Sequence, residues 1–142
     1  MRANDPGVKL TDTEAKPIIR EFWASYRDPA AGKGGPTWTR FKSATRVSPE
    51  LLQSEKLSQH ARLYVLFEHK RILMSAAPSQ VRQYITQRGP GDYADMYIFP
   101  AGMKWCIAYT AEDDSRGDVV LLAGSTEAFG PEAQRYALPP ED

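Results

Sequence analysis

The sequence predicts a single α+β domain whose mostly antiparallel, five-stranded sheet has helices packed on one face. The length of 142 residues is that of one domain, with 1–12 and 125–142 as extended or loosely packed termini. A hydrophobic fraction of 42% and a charged fraction of 25% are typical of folded proteins. Strand-like apolar runs occur in close pairs, and they lie in different segments of the sequence from those with helical periodicity. This arrangement predicts the order α-α-β-β-α-β-β-β.

An amphipathic helix is predicted over 13–27. Ile18, Phe22 and Tyr26 recur every four residues, which places them on one face of a helix. The segment 28–37 that follows is rich in glycine and proline, so we expect a loop there.

Three shorter helical segments are predicted after this loop. Two aromatic residues three positions apart favour a short helix near 38–45. A serine N-cap followed by proline predicts a helix over 48–59. A further helix is expected to begin at Pro78 and to stop before Gly89.

Five strands are predicted from runs of β-branched, aromatic and other apolar residues. The first two and the next two are each separated by a short turn, so each pair is expected to form an antiparallel hairpin. The five ranges are 62–68, 71–76, 94–99, 104–110 and 119–123.

The charge is spread unevenly although the net charge is zero. Residues 1–111 hold 16 Lys and Arg against 10 Asp and Glu, whereas residues 112–142 hold two basic residues against eight acidic ones. The acidic segment is expected either to be a solvated loop or to steer a basic partner. Its loop acids are Glu112, Asp113, Asp114 and Asp118.

The residues that could carry chemistry match no catalytic, metal or nucleotide-binding motif. His60 and His69 lack partners at metal-ligand spacing, and Cys106 lies within a predicted strand, where a small buried residue is usual. The segment 32–34 has glycine and lysine but not the spacing of a phosphate loop. We therefore predict no catalytic residue, no metal ligand and no cofactor.

The composition also bears on compartment and partners. The single cysteine makes the cytoplasm the expected location. No apolar run reaches the roughly 20 residues that cross a membrane, and 1–11 contains no apolar stretch of a secretory signal. Basic residues near Trp38 and Phe41 could grip single-stranded nucleic acid, but zero net charge disfavours this.

One part of the chain resembles a known family. The segments Asp95–Ile98, Met103–Trp105 and Thr110–Glu112 are similar to a strand-turn-strand signature of the domain of unknown function 4275, a bacterial family of short uncharacterised proteins. The resemblance covers 62–124 loosely and 94–112 best. Ala111 stands where that family often has histidine. The resemblance implies a fold type and no activity.

The size and fold class are also similar to those of bacterial immunity proteins. This likeness implies a non-enzymatic binding protein, an antitoxin that occludes a secreted toxin. The acidic loop would meet a basic rim of that protein partner, and Tyr97, Trp105 and Tyr109 would be apolar anchors where exposed. A small-molecule-binding or accessory domain, or an enzyme with an unrecognised site, stays open as an alternative, and the oligomeric state is not predicted.

Overall fold

The computed structural model contains an antiparallel sheet with helices on both faces. The structure describes residues 6–31, 37–68, 70–87, 95–110, 119–124 and 126–138. Seven strands lie within these ranges, in the sheet order β1-β4-β3-β5-β6-β7-β2. They are β1 (Val8–Lys9), β2 (Ala44–Val47), β3 (Leu63–Phe67), β4 (Ile72–Ala76), β5 (Met96–Phe99), β6 (Trp105–Thr110) and β7 (Val119–Gly124).

The helices are mostly short. They are α1 (Asp12–Tyr26), α2 (Glu55–Ser58), α3 (Pro78–Thr86), α4 (Thr126–Phe129) and α5 (Glu132–Tyr136), with 3₁₀ turns at Pro29–Ala31, Thr37–Arg40 and Pro49–Gln53. The longest, α1, begins with a capping box in which the Thr11 hydroxyl accepts from the Glu14 amide at 3.2 Å. The Glu14 carboxylate accepts in return from the Thr11 amide at 3.0 Å.

The predicted five-stranded sheet is wrong in strand number and order. All five predicted strands are present and pair as antiparallel neighbours, but β1 precedes α1 and β2 follows it. Both additional strands are edge strands, and neither has a sequence that predicts a strand. β1 has only two residues, and β2 reads Ala-Thr-Arg-Val, too polar and too short to show a strand pattern.

The prediction of helices on one face is also wrong. α1 covers one face of the sheet, and α2 to α5 lie against the other. The reason is visible in β5 and β6, where every side chain is buried, so both faces of the sheet need a cover. Small side chains on the α1 face, such as Cys106 and Ala108, let the Phe22 ring approach within 4.9 Å of Phe99.

Two helical predictions in the first half need correction. The expected helix near 38–45 is a 3₁₀ turn that ends at Arg40 and is followed by β2. The expected helix over 48–59 divides at Ser54 into a 3₁₀ turn and α2. Ser54 caps α2 with its own hydroxyl, which accepts from the Lys56 amide at 3.0 Å, because serine favours such local bonds over a helix interior.

The segment that follows β7 contributes to the core. The Phe129 side chain on α4 is fully buried and meets the ring of Trp105 edge-on at 5.1 Å. Leu138 donates its backbone N–H to the Arg46 carbonyl at 2.9 Å, so this end of the chain also covers part of the β2 edge.

Candidate functional site

A cavity of about 1010 Å³ lies between α1 and the end of the sheet where β3 turns into β4 and β5 begins. α1 lines it with residues spaced by three and four, as one helix face requires. These are Asp12, Ala15, Lys16, Ile19, Arg20, Trp23 and, just after the helix, Arg27. The volume lies at the upper end of the range for small-molecule sites, about 300–1,000 Å³.

The charge of the cavity lining is strongly positive although the chain is neutral. Among the described residues, six cationic side chains line it against three carboxylates. The cations are Lys16, Arg20, Arg27, Arg40, Lys70 and Arg71, and the carboxylates are Asp12, Glu68 and Asp95. Over the described ranges, Lys16, Arg20, Lys70 and Arg71 have no hydrogen bond or ion pair to another side chain.

A short backbone ladder joins the end of α1 to the segment that carries Arg40. The Asp28 amide donates to the Arg40 carbonyl at 2.7 Å, and the Lys42 amide donates to the Tyr26 carbonyl at 2.8 Å. Arg27 therefore forms an isolated antiparallel bridge with Phe41. This ladder holds the Arg27 and Arg40 backbones beside each other at one end of the cavity.

The turn between β3 and β4 presents Arg71 in a strained conformation. Its φ angle is 54°, in the left-handed region that favours glycine. The Arg71 amide donates to the Glu68 carbonyl at 3.2 Å, which closes the turn. The Arg71 side chain is exposed and lines the cavity from this turn.

The Glu68 carboxylate is held at the cavity wall by three donors. It accepts from the Thr37 amide at 2.9 Å, from the Thr37 hydroxyl, and from the Tyr97 hydroxyl at 2.7 Å. Three donors fix the orientation of this carboxylate and tie the 3₁₀ turn Thr37–Arg40 to the sheet.

Tyr97 continues this set of hydrogen bonds as an acceptor. Its hydroxyl oxygen accepts from the Trp38 amide at 3.0 Å, and the Trp38 indole N–H donates to the Asp95 carboxylate at 3.1 Å. Burial and the nearby Glu68 carboxylate raise the pKa of Tyr97 far above its usual value of 10.0. Tyr97 therefore stays a neutral phenol.

Trp23 has an incomplete set of polar contacts. The Arg27 guanidinium lies over its ring, 5.2 Å from the centroid, as a cation–π pair. The indole nitrogen is buried, and over the described ranges it has no hydrogen-bond partner. A buried donor without an acceptor is unusual in proteins, so Trp23 offers one unused N–H at this wall.

The aromatic residues expected as surface anchors lie in the core. Tyr97 is 0%, Trp105 1% and Tyr109 6% exposed, so none is available on the surface. The acidic residues Glu112, Asp113, Asp114 and Asp118 lie outside the described residues. Toxin binding through these acidic residues therefore stays a prediction.

Among the described residues, Cys106 and His60 do not line the cavity. Burial raises the pKa of the Cys106 thiol well above its usual value. Burial and then Lys56 lower the pKa of His60, whose ring meets Trp105 at 5.6 Å. His69 and the segment 32–34 lie outside the described residues.

The described residues contain neither a cluster of metal ligands nor a helix of membrane-spanning character. In those ranges, no three His, Cys, Asp or Glu side chains come together as a metal site. None of the helices there combines the length and the apolar character that a bilayer-spanning segment requires.

The cationic cavity was missed because its parts are distant in sequence. Lys16, Arg20 and Arg27 read as the solvated face of an amphipathic helix, and Lys70 and Arg71 read as ordinary turn residues. One local signal was available: the basic residues at helical spacing share their face with Trp23. A face that is only solvated does not need such a large aromatic residue.

Comparison with known proteins identifies no relative of this chain. No protein-family profile, no curated protein and no solved structure matches this chain. The resemblance to the domain of unknown function 4275 therefore stays a prediction.

Proposed function

We propose that this protein binds a small organic anion in the cavity beside α1. The observation that carries the proposal is the surplus of cations among the described residues of the lining, six against three carboxylates, around one concave site in a chain with no net charge. A cleft with a surplus of one sign of charge raises the local concentration of ligands of the opposite sign. The sequence left a small-molecule-binding domain open as an alternative, and the charge of the cavity now specifies the class of ligand.

Four of the six lining cations are arginines, and this favours carboxylate or phosphate groups. A guanidinium presents a planar fork of donors that matches these groups in a bidentate manner. Arg27 and Arg40 are partly buried, so their interactions with a ligand would be less screened by salt than those of surface charges. Lys16, Arg20, Lys70 and Arg71 are exposed at the mouth and would steer the anion inward.

The cavity also has apolar walls that can contact the uncharged part of a ligand. Ala15, Ile19 and Leu66 line the same cavity as the cations. A site with apolar walls and a few convergent polar groups is the usual form of a metabolite pocket. The ligand class is therefore an organic phosphate or carboxylate rather than a bare inorganic ion.

The test is a thermal-shift panel of phosphorylated and carboxylated metabolites. A ligand at about 100 times its Kd stabilises the fold by roughly 2.7 kcal/mol, which corresponds to several degrees in Tm. The double variant Lys16→Gln with Arg20→Gln should lose most of that shift. Both side chains are exposed, so the unliganded fold should be unaffected.

A charge-matched control separates the cavity from net charge. Lys104→Gln with Arg135→Gln removes two exposed cations that do not line the cavity, and the ligand-induced shift should be retained. Equal losses in both double variants, or no shift with any member of the panel, would contradict the proposal.

A further inference from the structure

We infer that the anionic group of the ligand binds beside Trp23, where it accepts a hydrogen bond from the indole N–H and pairs with the guanidinium groups of Arg20 and Arg27. This inference rests on the proposed anion binding and names the donors that recognise the anion within the cavity. It follows from the spacing of these three residues and from an indole N–H that has no acceptor in the described part of the chain.

Arg20, Trp23 and Arg27 lie on one face of the helix. They are spaced by three and then four residues, and side chains at this spacing are neighbours on a helix surface. Arg27 directly follows α1, and its amide still donates to the Trp23 carbonyl at 3.0 Å, which keeps it one turn beyond Trp23. All three side chains line the cavity, so an anion beside the indole has a guanidinium one turn away on each side.

The Trp23 indole supplies a donor between these two guanidinium groups. Its Nε1 atom is buried and has no hydrogen-bond partner over the described ranges. The Trp38 indole, by contrast, already donates to the Asp95 carboxylate at 3.1 Å. Buried donors in folded proteins are nearly always paired. The remaining indole N–H at the cavity wall therefore indicates an acceptor that comes from outside the chain.

The Arg27 guanidinium is placed to respond to an anion. It lies over the Trp23 ring, 5.2 Å from the centroid, and over the described ranges it has no ion pair that an anion would have to displace. A charge-assisted hydrogen bond is stronger than a cation–π contact at a partly exposed site. The guanidinium therefore turns from the ring to the anion, and this movement opens the buried edge of the indole to the same anion.

The helix keeps its own carboxylate away from this position. Asp12 precedes Trp23 by eleven residues, which at 1.5 Å per residue is about 16 Å along α1. Asp12 instead lies four residues before Lys16, a spacing at which opposite charges attract on a helix surface. Arg20 and Arg27, in contrast, have no acidic residue three or four positions away in the sequence. The positive charge of α1 is therefore least offset on either side of Trp23.

The other charged groups of the lining have partners or lie at the mouth. Of the described residues, the carboxylates on the sheet side are Glu68 and Asp95, and each already accepts a hydrogen bond from an aromatic side chain. Arg40 has an interaction of its own, so it is not counted among the donors for the anion. Lys70 and Arg71 are exposed on the β3–β4 turn and attract the anion towards the cavity.

The first measurement is a nitrogen–proton correlation spectrum of the indole groups, recorded on the intact protein as n-butyl phosphate is added at constant ionic strength. The chain has three tryptophans, and Trp23→Phe identifies the Trp23 signal by its absence. That signal should move downfield on binding, because its proton enters a hydrogen bond to an anion. Trp105 packs on the opposite face of the sheet, so its signal should stay in place. n-Butanol, which has the same alkyl chain without the phosphate, should move neither signal.

Affinity measurements on variants test the same contacts. Trp23→Phe should weaken binding of n-butyl phosphate about tenfold or more, because hydrogen bonds to charged groups are strong. Arg20→Gln and Arg27→Gln should each weaken it by a similar factor, whereas Lys104→Gln, which does not line the cavity, should bind as the wild type does. Replacing Trp23 by benzothienylalanine keeps the shape of the ring system and substitutes sulfur for the N–H. This protein should lose as much affinity as Trp23→Phe, which separates loss of the hydrogen bond from loss of packing.

The outcomes distinguish this inference from the proposed function. Binding of n-butyl phosphate without a shift of the Trp23 signal would overturn the inference and leave anion binding intact. Wild-type affinity of the benzothienylalanine protein, or of both Arg20→Gln and Arg27→Gln, would also overturn it. Absence of binding by the wild type would overturn both the inference and the proposed function.

Discussion

The Tyr97 hydroxyl donates a hydrogen bond of 2.7 Å to the Glu68 carboxylate and so joins two strands at the cavity wall. The same oxygen accepts from the Trp38 amide, which brings in the 3₁₀ turn that carries Arg40. One buried phenol therefore joins the Glu68 carboxylate to the 3₁₀ turn that carries Arg40, and both of these residues line the cavity.

Tyr97→Phe should destabilise the fold by about 1–3 kcal/mol, because hydrogen bonds to charged groups are strong and the Trp38 amide loses its acceptor. Urea unfolding measures the change. Tyr64→Phe is the matched control, since the Tyr64 hydroxyl has no hydrogen-bond partner among the described residues and its ring contact with Phe99 is kept. Its effect should stay within about 0.5 kcal/mol. Equal effects of the two variants would show that the Tyr97 bonds contribute nothing.

Arg71→Gly should yield a protein that is more stable than Arg71→Ala by about 1 kcal/mol, because only glycine adopts a φ of 54° without strain. Both variants lack the guanidinium, so both should lose the same anion affinity. Thermal unfolding and ligand titration of the two proteins measure these quantities separately. If Arg71→Gly is no more stable than Arg71→Ala, the left-handed turn is not the conformation in solution.

The native Cys106 thiol should not react with disulfide reagents. The side chain is 0% exposed, and burial raises its pKa well above the usual value of 9.0, so reactive thiolate is scarce. Labelling should proceed through unfolding, at least roughly 1,000-fold slower than in denaturant for a domain of ordinary stability. The double variant Cys106→Ala with Lys104→Cys moves the thiol to an exposed turn position. This variant should be labelled rapidly by the same reagent in the folded state. Rapid labelling of the wild type would place Cys106 at the surface.

His60 should make the fold less stable as the pH falls. Burial and Lys56 lower its pKa in the folded state, so below the ordinary value of 6.5 the unfolded chain binds the proton first. The stabilising contribution is complete above this value and is lost as the pH falls through it towards the folded pKa. Urea unfolding at about pH 7.5 and about pH 5.5 should give a smaller difference for His60→Gln than for the wild type. An equal or larger difference in the variant would exclude His60 as a source of the pH dependence.

The longest helix and two hairpins could be predicted because short stretches of sequence specify them. α1 follows from apolar residues at helical spacing, and the β3–β4 and β5–β6 hairpins follow from apolar runs joined by short turns. Each of these signals lies within a window of about 15 residues. The nearly continuous apolar runs of β5 and β6 also indicated a sheet that is covered on both faces.

The two edge strands and the cavity depended on tertiary structure. β2 becomes a strand because β7 offers it hydrogen-bonding partners, since a four-residue segment is too short for its two β-branched residues to specify a strand alone. Lys16, Arg40 and Arg71 line one cavity because α1 packs on small side chains across the sheet and because Tyr97 and Glu68 hold the 3₁₀ turn in place. Charge in a cavity depends on distance through space, and a linear sequence records only distance along the chain.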